Sequence, residues 1–298
     1  MPPAIPRPRG LKRRIRKHVG RLRRLPHRLG VADPPRRHHT PKRRSAEARL
    51  VPSPVFVISS IRSGSTLLRV LLNTHSKIVA PHELHLHSIR LQFKKQYTEK
   101  AVDLLGLDKD ELEHLLWDRV LDRQLSLSGK EIIVDKTPEN AVFWPRLRRC
   151  WPEARYIFLL RHPLSIAQSW MAGRDDRPLE KAIPHTLRYV EGVEAARKEL
   201  PGLTVRYEDL TADPEKVTRE ICDFLGVPWE RQMLDYGKVD HGPFKGGIGD
   251  WSKKIRSGTI QKPRPLPSPD EVPEEFREIA TAWGYMDPDP ASEKVKAT

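Results

Sequence analysis

Cysteine is nearly absent, with Cys150 and Cys222 the two in 298 residues. Two isolated thiols cannot build a disulfide scaffold and lack the clustered spacing of a zinc site. So cysteine-poor a chain fits a reducing cytoplasm. Long hydrophobic runs are missing too. The longest uncharged stretch near the start, VPSPVFVISSI at 51–61, is about half of the roughly 20 residues a spanning helix needs, so no membrane span is expected. The basic N-terminus lacks an apolar signal core of about 7 to 15 residues, and a secretory signal peptide is not expected. Acidic residues are scarce in one place only. Positions 1–50 hold 17 Lys and Arg against Asp33 and Glu47, which accounts for the whole formal charge of +15, while positions 51–298 carry 37 residues of each sign. The body is electrically neutral. That excludes a general polyanion-binding globule, and nucleic acid is not an expected partner.

What is present divides the chain into three parts. Ten prolines between positions 1 and 54 prevent continuous regular structure over most of that stretch, which reads as an appendage. Within it Leu11, Ile15, Val19, Leu22 and Leu25 fall on an arc of roughly 120° if helical, with Arg and Lys around the remainder. Segment 11–25 therefore reads either as a basic amphipathic helix suited to an anionic membrane surface or as a solvated Arg-rich tail. Gly20 weakens such a helix and Pro26 ends it. Residues 55–287 form the expected main domain, and 288–298 a disordered tail.

In the main domain short β-rich runs alternate with helical patterns. VFVIS at 55–59, EIIVD at 131–135, RYIFLL at 155–160 and LTVRY at 203–207 are followed by STLLRVLLNTH, PENAVFWPRLRRC, PLSIAQSWM and DPEKVTREICDFLG. The pattern predicts an α/β fold, a three-layer sandwich with a central parallel sheet and helices on both faces. Residues 84–126 read as helical and able to supply a lid or acceptor-binding wall, and 236–272 as a long loop, of a length that is usually functional or disordered.

VFVISSIRSGSTLLRVLL has the layout strand, tight Ser/Gly turn, helix, which aims backbone N–H groups at an anion. Against the nucleotide-hydrolase phosphate loop, Ser59 stands at the first glycine, Gly64 is kept, Ser65 replaces the lysine and Thr66 fills the Ser/Thr place. The missing lysine disfavours an ordinary ATP or GTP hydrolase, and the cradle remains.

In these residues the chain resembles the sulfotransferases that use 3′-phosphoadenosine 5′-phosphosulfate (PAPS). The resemblance implies that Arg62, Ser63, Gly64, Ser65 and Thr66 hold the donor's 5′-phosphate, with Arg62 also facing the sulfuryl group. A family element of Arg followed eight residues later by Ser is matched by Arg161 and Ser169 in RHPLSIAQS and implies a grip on the 3′-phosphate. The family's Lys-Gly, two variable residues, Gly-Asp-Trp is matched by Lys245, Gly246, Gly249, Asp250 and Trp251, with Phe244 where an Arg often stands. Ser257 and Lys262 resemble donor-contacting positions of the tyrosyl-protein branch, and Tyr207 a position near the adenine. The donor site is expected to work through fixed cations and N–H donors without a metal.

Sulfuryl transfer to a hydroxyl requires a base and a cation near the bridging oxygen. Glu83, 21 residues after Arg62 in APHELHLH, matches the Glu that related enzymes use as base, with His82, His85 and His87 as alternatives. HELHLH lacks the His-Glu-x-x-His interval that puts two imidazoles on one helix face, so metal is not expected there. Lys136, in the turn after the second predicted strand, matches a Lys near the bridging oxygen. The expected function is transfer of a sulfuryl group to a carbohydrate, lipid-linked, peptide or natural-product hydroxyl. The competing readings are a phosphate-loop kinase and an inactive nucleotide-binding or membrane-docking module.

Overall fold

The computed structural model describes residues 49–172, 178–242, 254–262 and 264–286. The expected helix at 11–25, the stretch from Lys245 through Gly246 to Trp251, and the tail at 288–298 lie outside these. Five parallel strands, β1 (Val55–Ser59), β2 (Ile78–Val79), β3 (Ile132–Asp135), β4 (Arg155–Leu160) and β5 (Gly202–Arg206), form one sheet in the order β2-β3-β1-β4-β5. Register runs through Val55 opposite Val134 on one side and Val57 opposite Ile157 on the other.

The strand alternation explains the layers. Phe56 and Ile58 point into a core with Trp151, Tyr189, Val193 and Phe276, whereas Val55 and Val57 point into a second core with Leu68, Leu71, Ile221 and Leu225. Helices α4 (Asn140–Cys150), α5 (Pro163–Met171), α6 (Leu179–Glu199) and α9 (Glu274–Ala282) cover the first face. Helices α1 (Ser65–Thr74) and α8 (Pro214–Leu225) cover the second. Between them in sequence lie α2 (Gln96–Leu104), α3 (Lys109–Ser128) and the short α7 (Tyr207–Ala212).

Four of the strands and their following helices match the sequence expectation. Strand β2 does not announce itself, because two residues carry no period. The stretch expected to be helical from 84 is irregular up to α2 except for a single turn at Leu86–Ser88, and helix resumes only at Gln96 and Lys109. Tyr207 was read as the last residue of a strand, but it opens α7. Pro138 leads into α4 rather than starting it: Asn140 and Ala141 bond back to Thr137 and Pro138 in a tight turn, and the helix begins at Asn140. No helix among the described residues is long and apolar enough to cross a membrane.

Candidate active site

Four adjacent parallel strands deliver the predicted residues to one edge of the sheet. Lys136 follows β3, the phosphate loop follows β1, Arg161 follows β4 and Tyr207 follows β5. The carboxyl edge where strand order changes direction is where open α/β sheets bind ligands.

The loop between β1 and α1 turns on two left-handed residues, Arg62 (φ 59°) and Gly64 (φ 89°). At 64 only glycine fits, since a Cβ there would lie 2.2 Å from the Tyr207 ring as well as in a conformation L side chains avoid. Ser63, fully buried, donates from Oγ to the Ser60 carbonyl at 2.7 Å and closes the turn. Ser65 and Thr66 open α1, whose orphan N–H groups and positive end face the loop.

Arg62, Arg161, Ser169 and Tyr207 are brought together. Arg62 donates from Nε to Ser169 Oγ at 3.2 Å, and Arg161 donates from Nη1 to the Arg62 carbonyl at 2.7 Å. The Arg161 guanidinium carbon stands 4.5 Å from the centroid of the Tyr207 ring, which also packs on Gly64. Burial holds Arg161 below its ordinary pKa. Its buried Nε has no hydrogen-bond partner among the described residues. A buried cation with an unsatisfied donor beside a phosphate-loop turn is what a bound phosphate would complete.

Glu83 and Lys136 form the second centre. Lys136 Nζ is hydrogen-bonded to Glu83 Oε1, and the other carboxylate oxygen lies 3.3 Å from His85 Nε2. The Lys136 side chain is 1% exposed and that of Glu83 10%. Burial lowers the Lys136 pKa, opposed by the Glu83 charge. Arg69, buried in α1, donates from Nη1 to the Ala80 carbonyl at 3.0 Å, and burial pulls it down to about 10 despite the attraction of Glu83. His82, which lies against Gly242 at the entry to the 243–253 stretch, is lowered by burial and then by Arg69 and Lys136.

Three contributors escaped the sequence reading. Asp135, fully buried, accepts from Thr137 Oγ1 at 3.0 Å and Asn140 Nδ2 at 2.9 Å, fixing the turn that presents Lys136; burial raises its pKa. Its signal was an acid closing an apolar strand. The signal for Arg69 was a lone cation inside STLLRVLL. Glu208, which accepts from the His162 backbone N–H at 3.2 Å and from Tyr285 Oη at 2.6 Å, ties the residue after Arg161 to the end of the chain's last described helix, and no spacing announced it. Ser257 sits in the turn Ile255–Ser257, where its hydroxyl donates to the Lys254 carbonyl at 2.7 Å. Lys262 is exposed.

Comparison with known proteins bears on the family and the fold. The sulfotransferase family model matches residues 54–231. Protein-tyrosine sulfotransferase 1 of Danio rerio is 27% identical over 206 residues, 62% of this chain and 56% of that protein. The nodulation protein NoeE of Sinorhizobium fredii is 31% identical over 136 residues, 42% of this chain and 32% of that protein. An uncharacterized Aquifex aeolicus protein is 29% identical across 70% of this chain and 30% of its own length. The chain thus spans between 30% and 56% of the length of these relatives. Among solved structures, the sulfotransferase domain of the curacin biosynthetic pathway superposes with a TM-score of 0.55 at 26% identity, covering 80% of this chain and 99% of that domain. The sulfotransferase domain of the Synechococcus olefin synthase gives 0.60 at 25%, covering 79% and 96%. With the family model spanning more than half of its length, the chain belongs to the sulfotransferase family.

Proposed function

We propose that this protein transfers a sulfuryl group from PAPS, the donor usual in the family, to a hydroxyl-bearing acceptor. The observation that carries the reading is the linkage of Arg62 to both Ser169 and Arg161. It joins the loop suited to a 5′-phosphate to the pair suited to a 3′-phosphate, so one nucleotide charged at both ends satisfies both. Arg161 forks onto phosphate oxygens, Tyr207 supplies an aromatic face, and the α1 N-terminus meets the 5′-phosphate.

In the transfer, the acceptor hydroxyl gives its proton to Glu83 as its oxygen bonds to sulfur. The bond from sulfur to the bridging oxygen breaks, and the electron pair stays on the departing 5′-phosphate. Lys136 and Arg62 meet that growing charge. Lys136 also holds the Glu83 carboxylate in place through their hydrogen bond.

The names of the relatives range from a protein-tyrosine sulfotransferase to a domain of a biosynthetic pathway, and the acceptor class proposed here is a hydroxyl, on a carbohydrate, lipid-linked, peptide or natural-product compound. A reducing, cytoplasmic setting is supported by Cys150 and Cys222, both buried and unpaired, burial pushing the Cys222 thiol up to about 11. Calorimetric titration with 3′-phosphoadenosine 5′-phosphate (PAP) in the absence of magnesium tests the reading. Binding of PAP without the metal is expected, and preference for magnesium-ATP overturns it.

A further inference from the structure

His85, which lies beside Glu83, forms a cluster with His87 and Glu139 in which one ligand-capable atom from each lies within 4.8 Å of the others. Spacing within HELHLH gave no reason to expect a metal. The fold adds what spacing could not show, a carboxylate from another element, for Glu139 is the N-cap of α4.

Three observations point to a shared ligand. His87 Nδ1 and Glu139 Oε2 are both shielded from solvent, and neither has a hydrogen-bond partner among the described residues. Two unsatisfied polar atoms facing one cluster are a costly arrangement that a cation would relieve. His85 is held in left-handed backbone (φ 47°, ψ 42°), with Leu86 buried behind it and its carbonyl bonded by Ser88 N–H at 2.8 Å. Such strain in a residue other than glycine persists where its surroundings impose it, and it gathers at ligand sites. The His85 ring also spans two carboxylates, with Nδ1 3.6 Å from Glu139 Oε2 and Nε2 3.3 Å from Glu83 Oε2.

We propose that His85 Nδ1, His87 Nδ1 and Glu139 Oε2 bind a divalent transition-metal ion, with zinc the best chemical match, and that the bound ion restrains Glu83 through His85. Two imidazoles and one carboxylate with an open fourth position is an established zinc set. The ligand atoms need to close from as much as 4.8 Å to about 3.4 Å, the separation that metal bonds of about 2.1 Å impose at tetrahedral angles. The side chains of His85 and Glu139, 36% and 31% exposed, have room to turn. His87 Nε2 lies 3.0 Å from Ser88 Oγ, which leaves Nδ1 for the ion and orients the ring. With its Nδ1 on the metal, His85 carries its proton on Nε2 and donates it to Glu83 Oε2, an arrangement of carboxylate, imidazole and metal that fixes ring and tautomer. That hydrogen bond occupies a lone pair of the proposed base, so metal loading slows transfer. This last step rests on the sulfuryl-transfer reading; the metal site does not.

Cobalt(II) added to the full-length protein is the probe. One equivalent is expected to give saturable visible d–d absorption that zinc displaces and magnesium does not. His87→Ala is expected to abolish the band, and Glu139→Gln to weaken cobalt binding by at least about tenfold, each variant being checked for wild-type circular dichroism. Absence of the band in the wild type, or wild-type cobalt affinity in both variants, overturns the site. Turnover measured with and without zinc tests the coupling: inhibition is expected in the wild type and is to vanish in Glu139→Gln. Zinc that displaces cobalt and leaves turnover unchanged overturns the restraint on Glu83. PAP titration of the same sample separates this from the transfer reading, because a protein that takes cobalt here and ignores PAP refutes only the latter.

Discussion

Arg161 Nη1 donates to the carbonyl oxygen of Arg62 at 2.7 Å, so the cation that ends β4 braces the loop that ends β1. One side chain thereby connects the two halves of the proposed nucleotide site. Its Nε remains for a phosphate oxygen.

Arg161→Ala removes the proposed charged phosphate contact and the brace at once. Hydrogen bonds to charged groups contribute about 1.5 to 3 kcal/mol each, so PAP affinity is expected to fall by about 10- to 100-fold. Calorimetry checks this, and an unchanged dissociation constant would remove Arg161 from the site.

Gly64→Ala places a methyl group 2.2 Å from the Tyr207 ring and keeps a positive φ of 89°. The backbone term alone costs roughly 1 to 2 kcal/mol. Displacement of Tyr207 also moves the aromatic face beneath Arg161. Lower melting temperature and weaker PAP binding are expected together. Adding Tyr207→Ala should restore part of the stability and none of the binding; recovery of both would mean that Tyr207 does not touch the donor.

Most of the sheet was legible because parallel strands buried on both faces read as apolar runs, as in RYIFLL, and because each is followed by a helix with its own apolar stripe. The phosphate loop was legible because few residues tolerate its turns. Convergence of Arg62 with Ser169 was expected only from family resemblance, since a separation of 107 residues leaves no periodic trace. The Glu83–Lys136 pair was half visible: both residues stood out, but their contact depends on how β2 and β3 pair. Asp135, at the end of β3, and Glu139, in the turn before α4, stayed hidden because an acid at the end of a strand or in a turn reads as a solvated residue.

Acidification should unfold this protein through two buried histidines. His114, beside Arg146, and His162, beside Arg206 and Arg161, are each lowered to about 4, chiefly by burial. The folded state refuses a proton that the unfolded chain takes up below about 6.5, so the unfolded state binds more protons between the two values. Stability therefore falls as pH drops from about 6.5 and levels off below about 4, each histidine contributing about 1 to 3 kcal/mol across the window. His162→Phe, which keeps a ring against Tyr285 (centroids 5.1 Å apart in the wild type), should flatten the plot of melting temperature against pH. An identical slope would exclude His162 as a contributor.

Positions 11–25, which lie outside the described residues, hold apolar residues at a spacing that would share one arc of a helix, among many cations. Each basic residue near an anionic surface contributes on the order of 1 kcal/mol, screened by salt. The full chain is expected to sediment with phosphatidylserine vesicles at low salt and to be released at high salt, and deletion of residues 1–50 to abolish this. Equal sedimentation by the shortened chain would rule out the segment as the contact.

Glu83→Gln is expected to lower turnover by about 10² to 10⁴ while PAP binding stays near wild type, because the amide cannot take the acceptor proton. It also leaves Lys136, 1% exposed, as a buried cation without its counter-charge. Removing one member of a buried pair costs about 3 to 5 kcal/mol, with the amide oxygen softening the loss by accepting a hydrogen bond. Lys136→Met alone should cost about 10² to 10³ in turnover as charge on the bridging oxygen goes unmet. The double variant separates stability from chemistry: with no stranded charge it should melt above Glu83→Gln yet remain as inactive. If it melts lower, the pair is not the dominant interaction of either residue. If Glu83→Gln retains full activity, the base lies among His82, His85 and His87, and Glu83 serves to hold Lys136 in place.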